Sequence, residues 1–311
     1  MIFLTRVIFF FIFISVASLA QIQSSAAPEE ARLPRCGSLT VPVSACSLSE
    51  AIEKNNIDAV QLFLISGHQA YEADGMPPEL PLVTACLYGY MDIIALLLAR
   101  GAQINARSST TDKTALFATC YHFPINGYLV NYLLDQGADP NITSFGNWTP
   151  LYVVCKHTTD IELVKLLLKH KAIVNSKSDC GRTPLLAACL YGSSHQAPSS
   201  LELVKLLLDA HADANIVADD GWTPLIAACL ASPINIDLVQ LLLIYKANAN
   251  PYPMYSGTTP IMSACRQGRR DVVELLMRYG AQVDSIVYAH AQTPEIQGIL
   301  QPEVTRRCVI M

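Results

Sequence analysis

The 311-residue chain is predicted to be all-α, a solenoid of stacked helix pairs joined by projecting hairpin turns. Cys86, Cys120, Cys155, Cys189, Cys229 and Cys265 each follow Ala, Thr or Val and precede a leucine-rich run, at intervals of 34, 35, 34, 40 and 36 residues. Thr-Pro pairs recur at a fixed offset before most of these cysteines, and asparagine turns recur after the leucine runs. Self-similarity of this length marks units too small to fold alone, which bury their apolar faces against one another. The composition agrees, with 51% apolar and only 15% charged residues, as expected when most helices are sandwiched between two others. A net charge of -5 with no basic run longer than two lacks the footprint of a nucleic-acid-binding surface.

Taken in order, residues 1–20 have the layout of a signal peptide. Arg6 precedes fourteen apolar or small residues, Val7 to Ala20, a span short of the roughly 20 needed to cross a bilayer, and Ser18 and Ala20 suit cleavage before Gln21. Residues 21–45 carry three prolines and no helical period, and read as an extended leader. The repeats occupy 46–300. Their first unit, Ser47 to Gly67, lacks Thr-Pro and carries Glu50, Glu53 and Lys54, as a polar end unit should.

The fullest unit begins Asp179-Cys180-Gly181-Arg182-Thr183-Pro184-Leu185. Thr183 is a good N-cap, and Pro184 at the first helical position loses no hydrogen bond because that amide has no intrahelical partner. The pair recurs as Thr149-Pro150, Thr223-Pro224, Thr259-Pro260 and Thr293-Pro294, the last opening an eighth unit that Pro302 ends. Ala188 and Cys189 keep this first helix slim. In the second helix Leu203, Val204, Leu206, Leu207 and Leu208 leave one outward slot, held by Lys205 here and by Ala95, Asn131, Lys165, Gln240 and Glu274 elsewhere. Gly101, Gly137 and Gly280 then suit a left-handed cap. Lys171, His211 and Lys246 replace that glycine, where the conformation costs about 1–2 kcal/mol, so looser caps are expected there. Insertions fall between the two helices, the largest, Ser193 to Ser200, being a polar projecting loop.

These motifs resemble the ankyrin repeat, whose pattern is Gly-x-Thr-Pro-Leu, a small-residue helix, a Val/Leu-rich helix and Gly-Ala-x-x-Asn. The resemblance covers about four-fifths of the chain, as seven units plus a cap. It implies helix pairs with projecting hairpins stacked into a curved slab that binds a partner protein on its concave face. The histidine frequent after Thr-Pro-Leu in the family is replaced by Tyr152, Leu186, Ile226 and Met262, which apolar packing has to compensate. In such slabs Tyr88, Trp148, Tyr191 and Trp222 fall on or near the concave face and are the candidate partner anchors, or else seal adjacent hairpins.

Catalysis has no candidate: no phosphate loop, acid–base pair or nucleophile elbow is present, and no cofactor is expected. The histidines show no ligand spacing, so no metal is expected. The six repeat cysteines stand about one helix-packing distance of 8–10 Å apart, too far for disulfides, and read as inert core thiols. Cys180 is expected at an exposed tip, and Cys36 and Cys46 are free to pair in an oxidising compartment.

Residues 301–311 form a tail ending Cys308-Val309-Ile310-Met311, the pattern for farnesylation at Cys308, with Arg306 and Arg307 before it. One lipid and two basic neighbours give weak, reversible membrane binding. Prenyl transfer is cytosolic whereas a signal peptide directs export, so the two ends imply different compartments unless an exported effector is lipidated inside another cell. The leading expectation is a non-enzymatic adaptor that grips a partner protein, is exported into the secretory pathway or secreted, and is tethered to a membrane through Cys308; the alternative location is the cytosolic face of a membrane, through the prenyl group. The alternative is a secreted or lumenal binding protein without lipid, for which the sequons at Asn141 and Asn147 are glycosylation candidates. A third is the substrate-recruiting subunit of a multi-chain enzyme such as a ubiquitin ligase, though no ligase-docking box stands in Gln21 to Ala45.

Overall fold

The computed structural model describes residues 47–66, 80–122, 124–158, 160–191, 199–251 and 257–310, with only the backbone described at 199–200 and 304–310. They belong to one compact unit, Cys46–Met311. The helices come in pairs: α1 (Leu48–Glu53) and α2 (Ile57–Ile65), α3 (Pro81–Tyr88) and α4 (Met91–Ala99), α5 (Ala115–Tyr121) and α6 (Gly127–Asp135), α7 (Pro150–His157) and α8 (Ile161–Lys169). The series continues with α9 (Pro184–Tyr191) and α10 (Ser199–Asp209), α11 (Pro224–Leu230) and α12 (Ile236–Ile244), α13 (Pro260–Arg266) and α14 (Arg270–Arg278), α15 (Ser285–Ala289) and α16 (Pro294–Ile310).

Each first helix packs on the next, and the second helices lie behind them. The first-helix layer is the closer packed, because its facing residues are small: Ala85, Ala118, Ala188, Ala228 and Ala264 are buried beside the six core cysteines. Helices of seven or eight residues are marginal alone in water, so this packing is what keeps them helical. Thr114, Thr149, Thr183, Thr223 and Thr259 cap the first helices, each side-chain oxygen accepting the amide three residues on. The outward slots of the second helices, Ala95 through Gln240, are exposed and Glu274 half-exposed, which places solvent behind that layer. Tyr152, Leu186, Ile226 and Met262, at the substituted histidine slot, are all buried.

Among the described residues the hairpins are single rungs rather than strands. Ser108, Ser144, Ser178 and Ala218 donate their amides to Lys113, Trp148, Arg182 and Trp222 at 2.9–3.0 Å. Among the described residues only the Ser144–Trp148 rung forms a β-bridge. Tips are joined across repeats, Asp179 donating to the Gly146 carbonyl and Asp219 to that of Cys180.

Four details differ from expectation. The caps at Lys171, His211 and Lys246 are not loose: the three residues hold φ of 65, 66 and 63°, and Ala172, Ala212 and Ala247 reach back five residues to Leu167, Leu207 and Leu242 at 2.9–3.0 Å, as Ala102, Ala138 and Ala281 do after glycine. Burial of the following alanine and the paired cap bonds hold the left-handed backbone against its steric cost.

Thr293-Pro294 opens a second helix rather than a first. Asp284 accepts the Val287 amide at 2.8 Å and starts α15 directly, so the last unit has no hairpin, and α15 takes the first-helix place against α13 while α16 packs on α14. Pro302 does not end α16. The carbonyl it leaves unbonded belongs to Gly298, which is exposed and carries no side chain, so water can satisfy it. Of the expected loop at Ser193 to Ser200, Ser199 and Ser200 already belong to α10, and 192–198 lie outside the described residues.

Candidate partner-binding surface

The six first helices that carry a core cysteine, α3, α5, α7, α9, α11 and α13, bury six residues each and leave the one or two positions after that cysteine partly or fully exposed. On α5, α7 and α9 those positions hold Tyr121, Lys156, His157 and Tyr191. The packing of first helix on first helix brings them beside the hairpin bases that carry Lys113, Trp148 and Arg182. Lys156 Nζ sits 4.2 Å from the Trp148 ring centroid and 5.4 Å from that of Tyr191, held between two aromatic faces from neighbouring repeats. Such ammonium–ring contacts contribute about 0.5–1 kcal/mol at partly exposed sites.

Beneath them lies a small apolar cluster separate from the main core: Phe117, Tyr152, Val153 and Ala187, covered by Trp148 and Tyr191. Trp148 and Tyr152 meet at 5.4 Å between centroids. On one side Tyr121 stacks on Phe117 at 5.9 Å, meets the His157 ring edge-on at 6.0 Å and lies under Lys113 Nζ at 4.9 Å. On the other, Arg182 approaches the Tyr191 hydroxyl at 3.5 Å and is paired with Asp220 at 2.7 Å. Cations and rings therefore alternate along one face through three repeats.

Burial, and then the positive charge of Arg182, lowers the Lys156 pKa. Burial, followed by Lys156, lowers that of His157. The Asp220 hydrogen bond raises that of Arg182, and burial raises that of Tyr152. Arg182 has its carboxylate, whereas among the described residues no carboxylate lies within ion-pair distance of Lys156.

Of the expected anchors, Trp148 and Tyr191 meet at Lys156. Trp222 does not join them; half-buried, it packs on the main core, its amide donated to Asp220. Tyr88 is 53% exposed, stacks on Tyr90 at 5.5 Å and edges a separate groove with Thr119, His122 and Ile125. Asn141 and Asn147 are engaged across repeats, Asn141 Nδ2 donating to the Lys171 carbonyl at 3.1 Å and Asn147 Nδ2 to that of Lys177 at 2.9 Å. Cys308 falls in the last turns of α16, and its side chain, like the 1–46 segment with Cys36 and Cys46, lies outside the described residues.

The six core thiols are free and buried. Burial pushes Cys86, Cys120, Cys189 and Cys229 up to about 12 and Cys265 to about 11, so they are protonated and unreactive at neutral pH. Cys180 is an exposed free thiol. Among the described residues no group of three or more His, Cys, Asp or Glu stands together as a metal site, and no helix is long and apolar enough to cross a membrane.

Phe117, Tyr121, Lys156, His157 and Arg182 were not singled out from the sequence. For all but Phe117 the signal was in two places, the residue before each capping Thr and the two positions after each core cysteine: in three consecutive units they hold Lys113 with Tyr121, Trp148 with Lys156 and His157, and Arg182 with Tyr191.

A stack of capped helix pairs with an aromatic and cationic face along its first helices defines a repeat-built interaction module. The chain belongs to the ankyrin repeat family: the model for ankyrin repeats (3 copies) matches residues 48–144, 122–197 and 194–286. It is 34% identical over 140 residues to the ankyrin repeat protein FPV031 of fowlpox virus (strain NVSL), covering 43% of this chain and 40% of that one. It is 28% identical over 196 residues to human ankyrin repeat and SOCS box protein 16, covering 54% and 42%. A match to glycerophosphocholine phosphodiesterase gde1 of Schizosaccharomyces pombe, 31% identical, spans only 13% of that protein. The chain thus spans well under two-thirds of these relatives' length. The crystal structure of an ankyrin repeat domain from Acinetobacter baumannii AYE superposes with a TM-score of 0.57 at 28% identity, over 64% of this chain and 97% of that one.

Proposed function

We propose that the chain is a non-catalytic adaptor that grips a segment of a partner protein across the exposed ends of α5, α7 and α9. The observation that carries this is Lys156, an ammonium seated between Trp148 and Tyr191 that no carboxylate among the described residues pairs with. Aromatic residues on a rigid support are the usual anchors of protein interfaces, and here their rings are already oriented by packing from three repeats. The adaptor is exported by the 1–20 leader and tethered through a prenyl group on Cys308. Intact mass from the native source reports leader removal and lipid together, and a mass equal to the untouched translation product refutes both.

The docking face is tested by placing a photo-crosslinking amino acid at position 191 or, on the opposite side, at position 165. Partner adducts should form from 191 and not from 165. Adducts formed equally from 165, or only there, refute this face as the docking surface.

A further inference from the structure

Resting on that docking face, we infer the chemistry of the segment it takes: an extended peptide of the partner protein that presents an Asp or Glu carboxylate to Lys156, flanked by apolar side chains lying on Trp148 and Tyr191. Three observations converge. First, charge is unbalanced at the centre of the face. The positive charge of Arg182 bears on Lys156, yet among the described residues Asp220 pairs with Arg182 alone. The Arg182 guanidinium is itself incompletely matched, its Nε buried without an acceptor and its Nη1 only grazing Tyr191 at 3.5 Å. A buried or half-buried cation without a hydrogen-bonded counter-ion is costly, and a carboxylate arriving from outside removes that cost.

Second, the ammonium is fixed. Rings 4.2 and 5.4 Å away hold Nζ in place, so little side-chain freedom is lost when a carboxylate docks. Third, the surroundings choose the sign. The protein is acidic overall at -5, and the hairpin tips expose Asp179 and Asp219, while Lys113, Lys156 and Arg182 line the face behind them. An acidic segment is repelled by the general surface and drawn to this one place. The alternation of ring and cation suits carboxylates alternating with apolar side chains. It does not suit a continuous phosphate backbone or a lipid surface, which need a longer run of free cations than Lys113 and Lys156 supply.

The test is a random peptide library displayed on phage and selected on the purified full chain, on Lys156→Gln, on Lys156→Glu and on Trp148→Ala. Enriched peptides should share an Asp or Glu at one fixed position, bind Lys156→Gln about tenfold more weakly, and give way to Lys or Arg at that position on Lys156→Glu. Peptides that require Trp148 but carry no fixed acidic position, or whose acidic preference survives Lys156→Gln, overturn the acidic specificity and leave the docking face standing. Enriched peptides indifferent to both Lys156 and Trp148 overturn the face itself. A single-stranded 20-mer DNA and phosphatidylserine vesicles run in parallel; tighter Lys156-dependent binding to either overturns the choice of a peptide. Circular dichroism of each variant confirms that loss of binding is not loss of fold.

Discussion

Replacing Lys171, His211 and Lys246 together with glycine is expected to stabilise the array. All three side chains are exposed, and their backbones sit at φ of 65, 66 and 63°. A non-glycine residue there bears about 1–2 kcal/mol of steric cost, while glycine loses about 0.5–1 kcal/mol more conformational entropy on folding, leaving a gain of roughly 0.5–1 kcal/mol per site. The cap bonds use only backbone atoms, as in Ala172 to Leu167 and Ala212 to Leu207, so no contact is removed with the side chain. The sites lie in successive repeats and share no side-chain partner, so their effects should add to about 1.5–3 kcal/mol. Equilibrium urea unfolding followed by far-ultraviolet circular dichroism measures it as a higher midpoint at unchanged slope. The reverse change, Gly137→Lys at φ of 91°, should destabilise by a comparable amount. A triple variant no more stable than the parent refutes the strain argument.

Three other outcomes follow from named residues. Leu207→Asp places an unpaired charge where the side chain is 0% exposed, and should cost several kcal/mol and unfold adjoining units together, seen as lost helicity and early hydrogen exchange in α9 to α12; unchanged thermal unfolding contradicts the register. Gly181→Ala combines φ of 70° with a Cβ only 2.7 Å from Asp219 Oδ1, so it should destabilise by about 2 kcal/mol or more and raise proteolytic nicking at the 178–182 tip, whereas a neutral effect shows that the joined tips are soft. His157 has a lowered pKa in the fold, so the unfolded chain binds its proton first and stability contributed by neutral His157 is lost as pH falls below its ordinary value of 6.5. His157→Gln should accordingly flatten the stability profile between pH 7 and 5, and an unchanged profile removes His157 from that account.

What the sequence made legible was whatever repeats within one unit. The Thr caps, the small first helix with its cysteine and the single outward slot are each set by neighbours a few residues away, and period alone aligns them. The site was less legible because its members come from different units: Trp148 and Lys156 are near in sequence, but Tyr191 and Asp220 arrive from the next two repeats. Helix caps at Asn56, Asn126, Asp160 and Asn235 were readable by the same logic as Thr183, since each stands just before a leucine run and accepts the amide three residues on. The last unit misled for a physical reason. Thr293 repeats the phase of Thr259, yet Asp284 caps a new helix at once and moves that phase to the other layer.

The left-handed caps and the asparagine turns are one device. In a left-handed residue the carbonyl points along the stack, and the asparagine of the preceding repeat donates to it: Asn105 to Gly137, Asn141 to Lys171, Asn175 to His211, Asn215 to Lys246 and Asn250 to Gly280, at 2.8–3.3 Å. The same five side chains accept the amides of Asp139, Ile173, Asp213, Asn248 and Gln282, two residues further on, at 2.7–2.9 Å. Each asparagine therefore staples its turn to the next through both halves of its amide, and Lys171, His211 and Lys246 are held left-handed because ladder and cap both require it. The ladder stops where Asp284, at the following position, spends its carboxylate on α15 instead. It runs beside the repeats that carry Lys113, Lys156, Tyr191 and Arg182, and by fixing the spacing of their units it fixes the spacing of those side chains. A ligand meeting that face encounters groups already in place, so the ordering cost of binding falls on the ligand alone.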